Sequence, residues 1–459
     1  MAGQAFRADT PTAHTHLACM IIALHGGIMR RRTFLNTAAS SLSIAPLRIH
    51  GAAPSDALNI AVIGCRGMGM SDLRSMLKVS GTRCVALCDI DQRVLETRAN
   101  DVFTLNGDSP KLYGDYRKLL DNKDVDAVII GTPDHWHCLQ MVDAVDANKD
   151  VYVEKPVANS IAECTRMIAA QQRTQRKVQV GQWQRSGKHW HEAIDYVKSG
   201  RLGEIRTVKT WAYMNWLKMD KAPDATVPAG VDYNMWLGPA PRRAFNPNRF
   251  HFHFRWFWDY AGGLMTDWGV HLIDIALWGM QASGPNRVMS SGGAFAYPDG
   301  GMETPDTQQA IYEFDDFTMI WEHAIGISQG PFQRAHGVAF IGNNATLVVD
   351  REKWEIYPEI ELNSLQYKVP AQATRHALPD ERGLDQHTAN FVAAIRENEP
   401  LHCDIGTGSL AAMNAHLGNI ALRTGETLTW SGARQRFSNS RAANQLLEPN
   451  YRRPWKLPS

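Results

Sequence analysis

The chain has 459 residues, a formal charge of +1 and 21% charged residues, too long for one ordinary core, so two domains are expected. No basic run or basic helical face points to nucleic acid, and no acidic tail appears. After residue 50 no apolar run approaches the roughly 18 residues needed to span a bilayer, so no membrane helix is expected in the mature protein.

Residues 1–56 read as a targeting region and linker. Arg31-Arg32-Thr33-Phe34-Leu35-Asn36 is similar to a twin-arginine export signal, and small and apolar residues follow it. Such a signal sits near a start codon, so Met29 is the expected start and a periplasmic or exported destination follows. The 7 cysteines do not suggest a disulfide framework. Cys84 and Cys88, on one strand, would lie roughly 13 Å apart, beyond bridging distance.

From residue 58 to about 181, short apolar runs (58–63, 85–88, 125–130, 151–153 and 178–180) alternate with helical stretches such as 160–176. This alternation predicts an α/β Rossmann domain with a doubly wound parallel sheet. Near-continuous apolar strands suit a sheet covered on both faces. The first strand runs into the glycine turn NIAVIGCRGMG at 59–69. Gly64 and Gly69 hold the outer places of a GxGxxG spacing, while Arg66 takes the middle place with Gly67 beside it. The glycines permit close backbone approach to a pyrophosphate at a helix N-terminus. Arg66 either crowds the phosphates or swings out to pair with them.

Asp89 ends the second strand. A carboxylate there accepts hydrogen bonds from the adenosine ribose and favours NAD over NADP, although Arg93 nearby keeps NADP possible in principle. The strand at 125–130 leads into Gly131-Thr132-Pro133-Asp134-His135-Trp136-His137, at the carboxyl end where doubly wound sheets bind ligands. Lys155 then follows a strand and precedes Pro156. Its ammonium can donate to a substrate hydroxyl and to the nicotinamide ribose; an ordinary loop lysine is the plainer alternative.

Beyond Gly181 the texture changes, and all but one of the 14 tryptophans lie from Trp183 onward. Strand-like runs (206–213, 308–314, 319–322, 338–341) and helical stretches (384–397, 407–423) predict an α+β domain on a large, open, mostly antiparallel sheet. The expected division is 1–56, a dinucleotide domain at 57–181, and a substrate and oligomerisation domain at 182–459. Gln182-Trp183-Gln184-Arg185 leaves the last strand of the first domain, where Trp183 and Arg185 can stack on and hydrogen-bond a ligand. The aromatic run at 249–260 (RFHFHFRWFWDY) fits sugar stacking or core and interface packing equally. His251 and His253 alternate there as on a strand. No clustered Cys or His pattern supports a metal site.

If 266–280 is one helix, Asp267, His271, Asp274 and Trp278 share one face. A polar stripe on an otherwise apolar helix is costly unless its groups are paired or used. Asp267 can orient the His271 imidazole as a general base requires. Equally, Asp267 can serve a helix N-terminus while His271 sits satisfied in the core.

Together these motifs give a resemblance to the glucose–fructose oxidoreductase / inositol dehydrogenase (Gfo/Idh/MocA) family over nearly the whole chain from Leu58. Its carriers are the glycine turn, the 132–137 motif, Glu154-Lys155-Pro156, Val180-Gly181-Gln182, the Asp267-Trp268-Gly269-Val270-His271 motif and His416-Leu417-Gly418-Asn419-Ile420-Ala421. The resemblance implies NAD as cofactor, with NADP possible, a small-molecule carbohydrate substrate and a homo-oligomer. It makes Lys155, Asp267 and His271 catalytic. It sets Gly64, Arg66, Gly67, Gly69, Asp89, Thr132, Pro133, His137, Glu154, Lys155 and Gln182 around the cofactor. Lys155, Trp183, Arg185, Trp268 and His271 then meet the substrate, and the Lys155–Pro156 bond is expected to be cis. Three functions follow: a sugar, glycoside or cyclitol dehydrogenase; a hydrolase or lyase using transient redox; and a non-catalytic sugar-binding protein.

Overall fold

The computed structural model describes residues 57–216 and 218–459; the twin-arginine motif and Met29 lie outside the described residues. Six parallel strands, β1 (Leu58–Ile63), β2 (Thr82–Cys88), β3 (Lys111–Tyr113), β4 (Ala127–Ile130), β5 (Asp150–Val153) and β6 (Val178–Val180), form one sheet. Its order is β3-β2-β1-β4-β5-β6, the doubly wound Rossmann arrangement. The order reverses between β1 and β4, and a crevice opens there at the strands' carboxyl ends. Helices α1 (Gly67–Met76), α2 (Gln92–Asn106), α3 (Tyr116–Leu120), α4 (Asp134–Asp146) and α5 (Ile161–Thr174) connect the strands. β4 and β5 are buried at every position, as strands covered on both faces must be. The start of α5 is a reciprocal cap. Ser160 accepts from the Glu163 N–H, and the Glu163 carboxylate accepts from the Asn159 N–H and the Ser160 hydroxyl.

The chain continues through α6 (Lys188–Lys198), β7 (Ile205–Met214), α7 (Tyr233–Leu237), α8 (Gly263–Asp267) and α9 (Gly269–Met280). Then come β8 (Arg287–Gly293), β9 (Thr307–Glu313), β10 (Thr318–Ile325), β11 (His336–Gly342), β12 (Ala345–Val349), β13 (Lys353–Pro358) and β14 (Arg375–His376). After α10 (Leu384–Glu397) and α11 (Ile405–Thr424), β15 (Leu428–Ser431), β16 (Arg436–Phe437) and α12 (Arg441–Gln445) end the order. Ten of these strands form a second sheet, β14-β13-β12-β11-β7-β10-β9-β8-β15-β16. All its pairs are antiparallel except β7 with β10. Burial alternates strictly along β9, the mark of a sheet with one packed face.

Two local expectations are corrected. The helix expected over 266–280 is two helices, α8 and α9, jointed at Trp268 (φ −103°, ψ −33°), so Asp267 does not share a continuous face with His271 and Asp274. The segment around His251 and His253 is a 3₁₀ turn over His251–Trp256, not a strand. The turn sends Trp256 into the core while Phe252 stays exposed, a split between near neighbours that one strand face would not give. All six cysteines among the described residues are buried and unpaired.

Candidate active site

At the end of β1 the chain turns through Gly64 at φ +86°, where a Cβ would stand 2.7 Å from the Gly131 carbonyl carbon and the Thr132 nitrogen. Gly69 fits as tightly: its Cβ would meet the Gly64 oxygen at 2.2 Å. Three backbones, β1, α1 and the end of β4, are pressed together, leaving no volume for side chains. Gly67 differs, with φ +41° and nothing within 4 Å of an added Cβ. It faces the cleft at the start of α1, whose capping position, Arg66, makes no side-chain cap. These uncapped N–H groups suit a pyrophosphate. Asp89 accepts from the backbone N–H of Cys65 (2.8 Å) and of Asp91 (3.1 Å). Burial pushes its carboxyl up, against those two bonds.

One cleft gathers Gly64, Arg66, Gly67, Asp89, Thr132, Pro133, Glu154, Lys155 and Asp267. The residues present fit a dinucleotide: a side-chain-free turn, an open helix start and a carboxylate at the end of β2. The far wall comes from the C-terminal half, through Met235, Trp236, His251, Phe252, Phe254 and Arg255. His251 Nε2 lies 3.2 Å from Asp91 Oδ2, which fastens this wall to the sheet beneath it. The aromatic run at 249–260 therefore lines the cleft with its first half and packs the core with Trp256, Phe257 and Tyr260.

At the inner end, Lys155 follows β5 across a cis bond to Pro156. Its Nζ donates to the Asp267 carbonyl oxygen (2.9 Å) and to Asp267 Oδ1 (3.0 Å). Two of the ammonium's three hydrogens are thus held, and one is left for a ligand. Arg255 Nε lies 3.3 Å from Asp267 Oδ2. Burial would raise the Asp267 carboxyl, but Arg255 and Lys155 outweigh it and hold it at about 2. Asp267 therefore serves Lys155 and Arg255, and no hydrogen bond joins it to His271 among the described residues. The His271 ring lies 6.1 Å from the Trp183 ring and 6.2 Å from the Trp268 ring, and its Nδ1 is buried without a partner. Burial, then Lys155, Arg351 and His336, keeps this imidazole well below its usual range, and so neutral.

Several expected site residues stand behind the cleft instead of lining it. His137 sets its ring nitrogens 2.8 Å from the Pro156 oxygen and 2.7 Å from the Thr132 oxygen; held neutral by burial, it has one N–H and donates to one of these two loops. Gln182 donates to the Val270 oxygen at 3.3 Å and accepts from the Cys403 thiol at 3.1 Å, so its amide ties α9 to the segment just before α11. Arg185 is spent on Asp274, at 2.7 and 2.9 Å. A buried arginine released into the cleft would leave that carboxylate unpaired, at a high cost. Trp183 and Trp268 flank His271, and none of the three is among the residues that line this cleft.

The sequence reading missed Asp134, Arg255, Arg351 and His336. Asp134 carried a signal, since it lies within the 132–137 motif. Burial and the nearby Asp267 charge push its carboxyl well up. Arg255 was hidden among aromatics. Arg351, in the turn between β12 and β13, belongs to no local pattern.

Residues 58–182 match "Oxidoreductase family, NAD-binding Rossmann fold", and residues 196–289 and 347–457 match "Oxidoreductase family, C-terminal alpha/beta domain". A "Glycosyl hydrolase family 109 protein 1" of Shewanella sp. (strain MR-4) is 27% identical over 192 residues, 40% of this chain and 42% of the relative. "Uncharacterized oxidoreductase ORF334" of Rhizobium meliloti is 30% identical over 186 residues, 40% of this chain and 54% of the relative. The chain thus spans about half or less of the length of these curated relatives. The WlbA dehydrogenase from Bordetella pertussis, solved in complex with NADH and UDP-GlcNAcA, shares the fold. It has a TM-score of 0.60 at 15% identity, over 82% of this chain and 99% of that one.

Proposed function

The chain is a member of the Gfo/Idh/MocA oxidoreductase family, and on that premise we propose that it moves a hydride between a nicotinamide and a carbinol carbon of a sugar, glycoside or cyclitol. One observation carries the reading. The Lys155–Asp267 pair, drawn from two different sheets' connections, lines the same cleft as the glycine turn and Asp89. When bound, the nicotinamide supplies the hydride acceptor. Lys155 holds the substrate hydroxyl with its remaining N–H, and Asp267, itself braced by Arg255, keeps that ammonium in place. His271, held neutral, accepts the hydroxyl proton as the carbinol carbon gives up its hydride.

A second reading has specific support. The wall that His251 fastens over the cleft favours a retained cofactor, and the match to a glycosyl hydrolase relative points the same way. In that route the oxidised carbon acidifies its neighbouring C–H, a base removes that proton, the glycosidic oxygen departs as a protonated alcohol, water adds across the resulting double bond, and return of the hydride would close the cycle. The same Lys155 and His271 serve both routes.

Purified protein, first with no cofactor added and then with NAD supplied, is exposed to a panel of sugars and aryl glycosides while its near-ultraviolet nicotinamide absorbance is followed. Accumulating reduced cofactor with intact glycoside supports the dehydrogenase. Aglycone release without net reduction supports the redox-neutral route. Silence on both counts rejects the two together. Export through Arg31-Arg32 and self-association through the exposed cross-strand neighbours Met289 and Ile311 complete the proposal. Cell fractionation and light scattering test these two points.

A further inference from the structure

Among the described residues no carboxylate forms a salt bridge with Arg351. Its guanidinium carbon lies 4.6 Å from the Trp183 ring and 4.3 Å from the Trp268 ring, the two indoles that flank His271. Its Nε donates to Gln184 Oε1 at 3.1 Å. Neither Nη1 nor Nη2 meets an acceptor among the described residues, and neither is sealed away from accessible space. The carboxylates nearby are already committed. Asp267 holds Lys155 and Arg255. Asp350, next in sequence, accepts from Arg334 at 3.0 Å and from the backbone N–H groups of Glu352 and Lys353.

The imbalance extends around the site. His336, its ring 4.8 Å from the Trp268 ring, buries Nε2 without a partner, as His271 buries Nδ1. Burial pulls Arg351 down to about 10, and Asp267 offsets this only in part. A half-buried guanidinium is costly unless an anion pairs with it, and no described carboxylate does.

We propose that the substrate carries a carboxylate, as in a hexuronic acid or its glycoside, and that Arg351 grips it through Nη1 and Nη2 between Trp183 and Trp268. The assignment rests on the carbohydrate reading above. Two free nitrogens in one plane match the two oxygens of a carboxylate, bidentate and parallel. A phosphate would leave a third oxygen and a second charge unanswered beside the indoles.

The test titrates full-length protein loaded with NADH, so that binding is read without turnover. Indole fluorescence reports D-glucuronate and D-galacturonate against D-glucose, D-galactose and D-glucose 6-phosphate. At least one uronate should bind about 30-fold or more tightly than its neutral parent. Arg351→Leu should erase that difference while NADH affinity holds, and Arg351→Lys, charged but unable to fork, should restore part of it. Equal binding of acid and neutral sugar, no binding of either uronate, preference for the phosphate, or an Arg351→Leu protein that keeps its preference would each overturn the proposal. Uronate binding without turnover by NAD-loaded protein would instead reject the redox chemistry and leave the carboxylate site standing.

Discussion

Lys155, Asp267 and His271 divide their work differently from a linear base-and-orienter arrangement. Asp267 is the electrostatic anchor of two cations, so its depressed acidity is a statement about stability as well as position. With its carboxyl at about 2 against an ordinary 3.8, it contributes about 2 kcal/mol above pH ~4, lost as pH falls through about 2. Asp267→Asn should abolish this acid-limb contribution in urea melts, while also freeing Lys155 and lowering turnover. His271→Ala should cost about 10²–10⁴ in kcat and leave NAD affinity unchanged; equal loss of both would remove His271 from the proton-transfer role. Because His271 titrates well below neutrality, kcat should show no decline from its protonation between about pH 8 and 6.5. A sigmoidal fall with a midpoint inside that window would contradict the burial seen here.

Among the elements, the turn between β1 and α1 is the least tolerant. Gly64→Ala would add a left-handed cost of about 1–2 kcal/mol to a collision with the backbone of Gly131 and Thr132, so both thermal stability and NAD binding should fall. Gly67→Ala meets nothing and should pay only the conformational part. A calorimetric ranking in which Gly67→Ala is the more damaging would refute the close packing of β1, α1 and the end of β4. The joint at Trp268 shows the other kind of control. Repeating apolar positions through Leu272, Ile275 and Ala276 predict a helix, and a helix forms. The break one residue after Asp267 depends on the Lys155 ammonium holding both the carbonyl and the carboxylate of that residue, a contact 112 positions away in the chain.

Across the whole molecule, a wall from the C-terminal half lies over a crevice of the N-terminal sheet. His251→Ala removes its fastening to Asp91 and should speed NAD release about tenfold, measured by stopped-flow displacement, with little change in the folded-state melt. An unchanged release rate would mean the wall plays no part in retention. The molecule also buries many neutral imidazoles. His135, His137, His323 and His416 are held at about 4 and His387 at about 3, burial being the main cause each time. Below pH ~6.5 the unfolded chain takes up protons that the folded one refuses. Stability should therefore be full above that pH and decline steadily as pH falls toward about 4, a slope that denaturant melts at successive pH values would reveal.

The Rossmann half was legible because its signals are local. Strand runs, the glycine spacing, Asp89 and Glu154-Lys155-Pro156 each lie within a few residues, and the fold places them at the carboxyl ends of adjacent parallel strands. Gly64, Gly67, Asp89, Thr132, Lys155 and Asp267 therefore share one cleft. Gln182, His137 and Arg185 carry the same kinds of polar groups, yet each is consumed by a partner that no sequence window contains: Val270 and Cys403, Pro156, and Asp274. Arg255 lines the cleft and Arg351 stacks on Trp183 and Trp268 for the mirror-image reason, since the chain's return through a turn and a hairpin brings them there. Periodicity and spacing report which residues share a face; whether a buried charge is already paired depends on groups far along the chain, and that pairing separates a structural arginine from one left to bind a ligand.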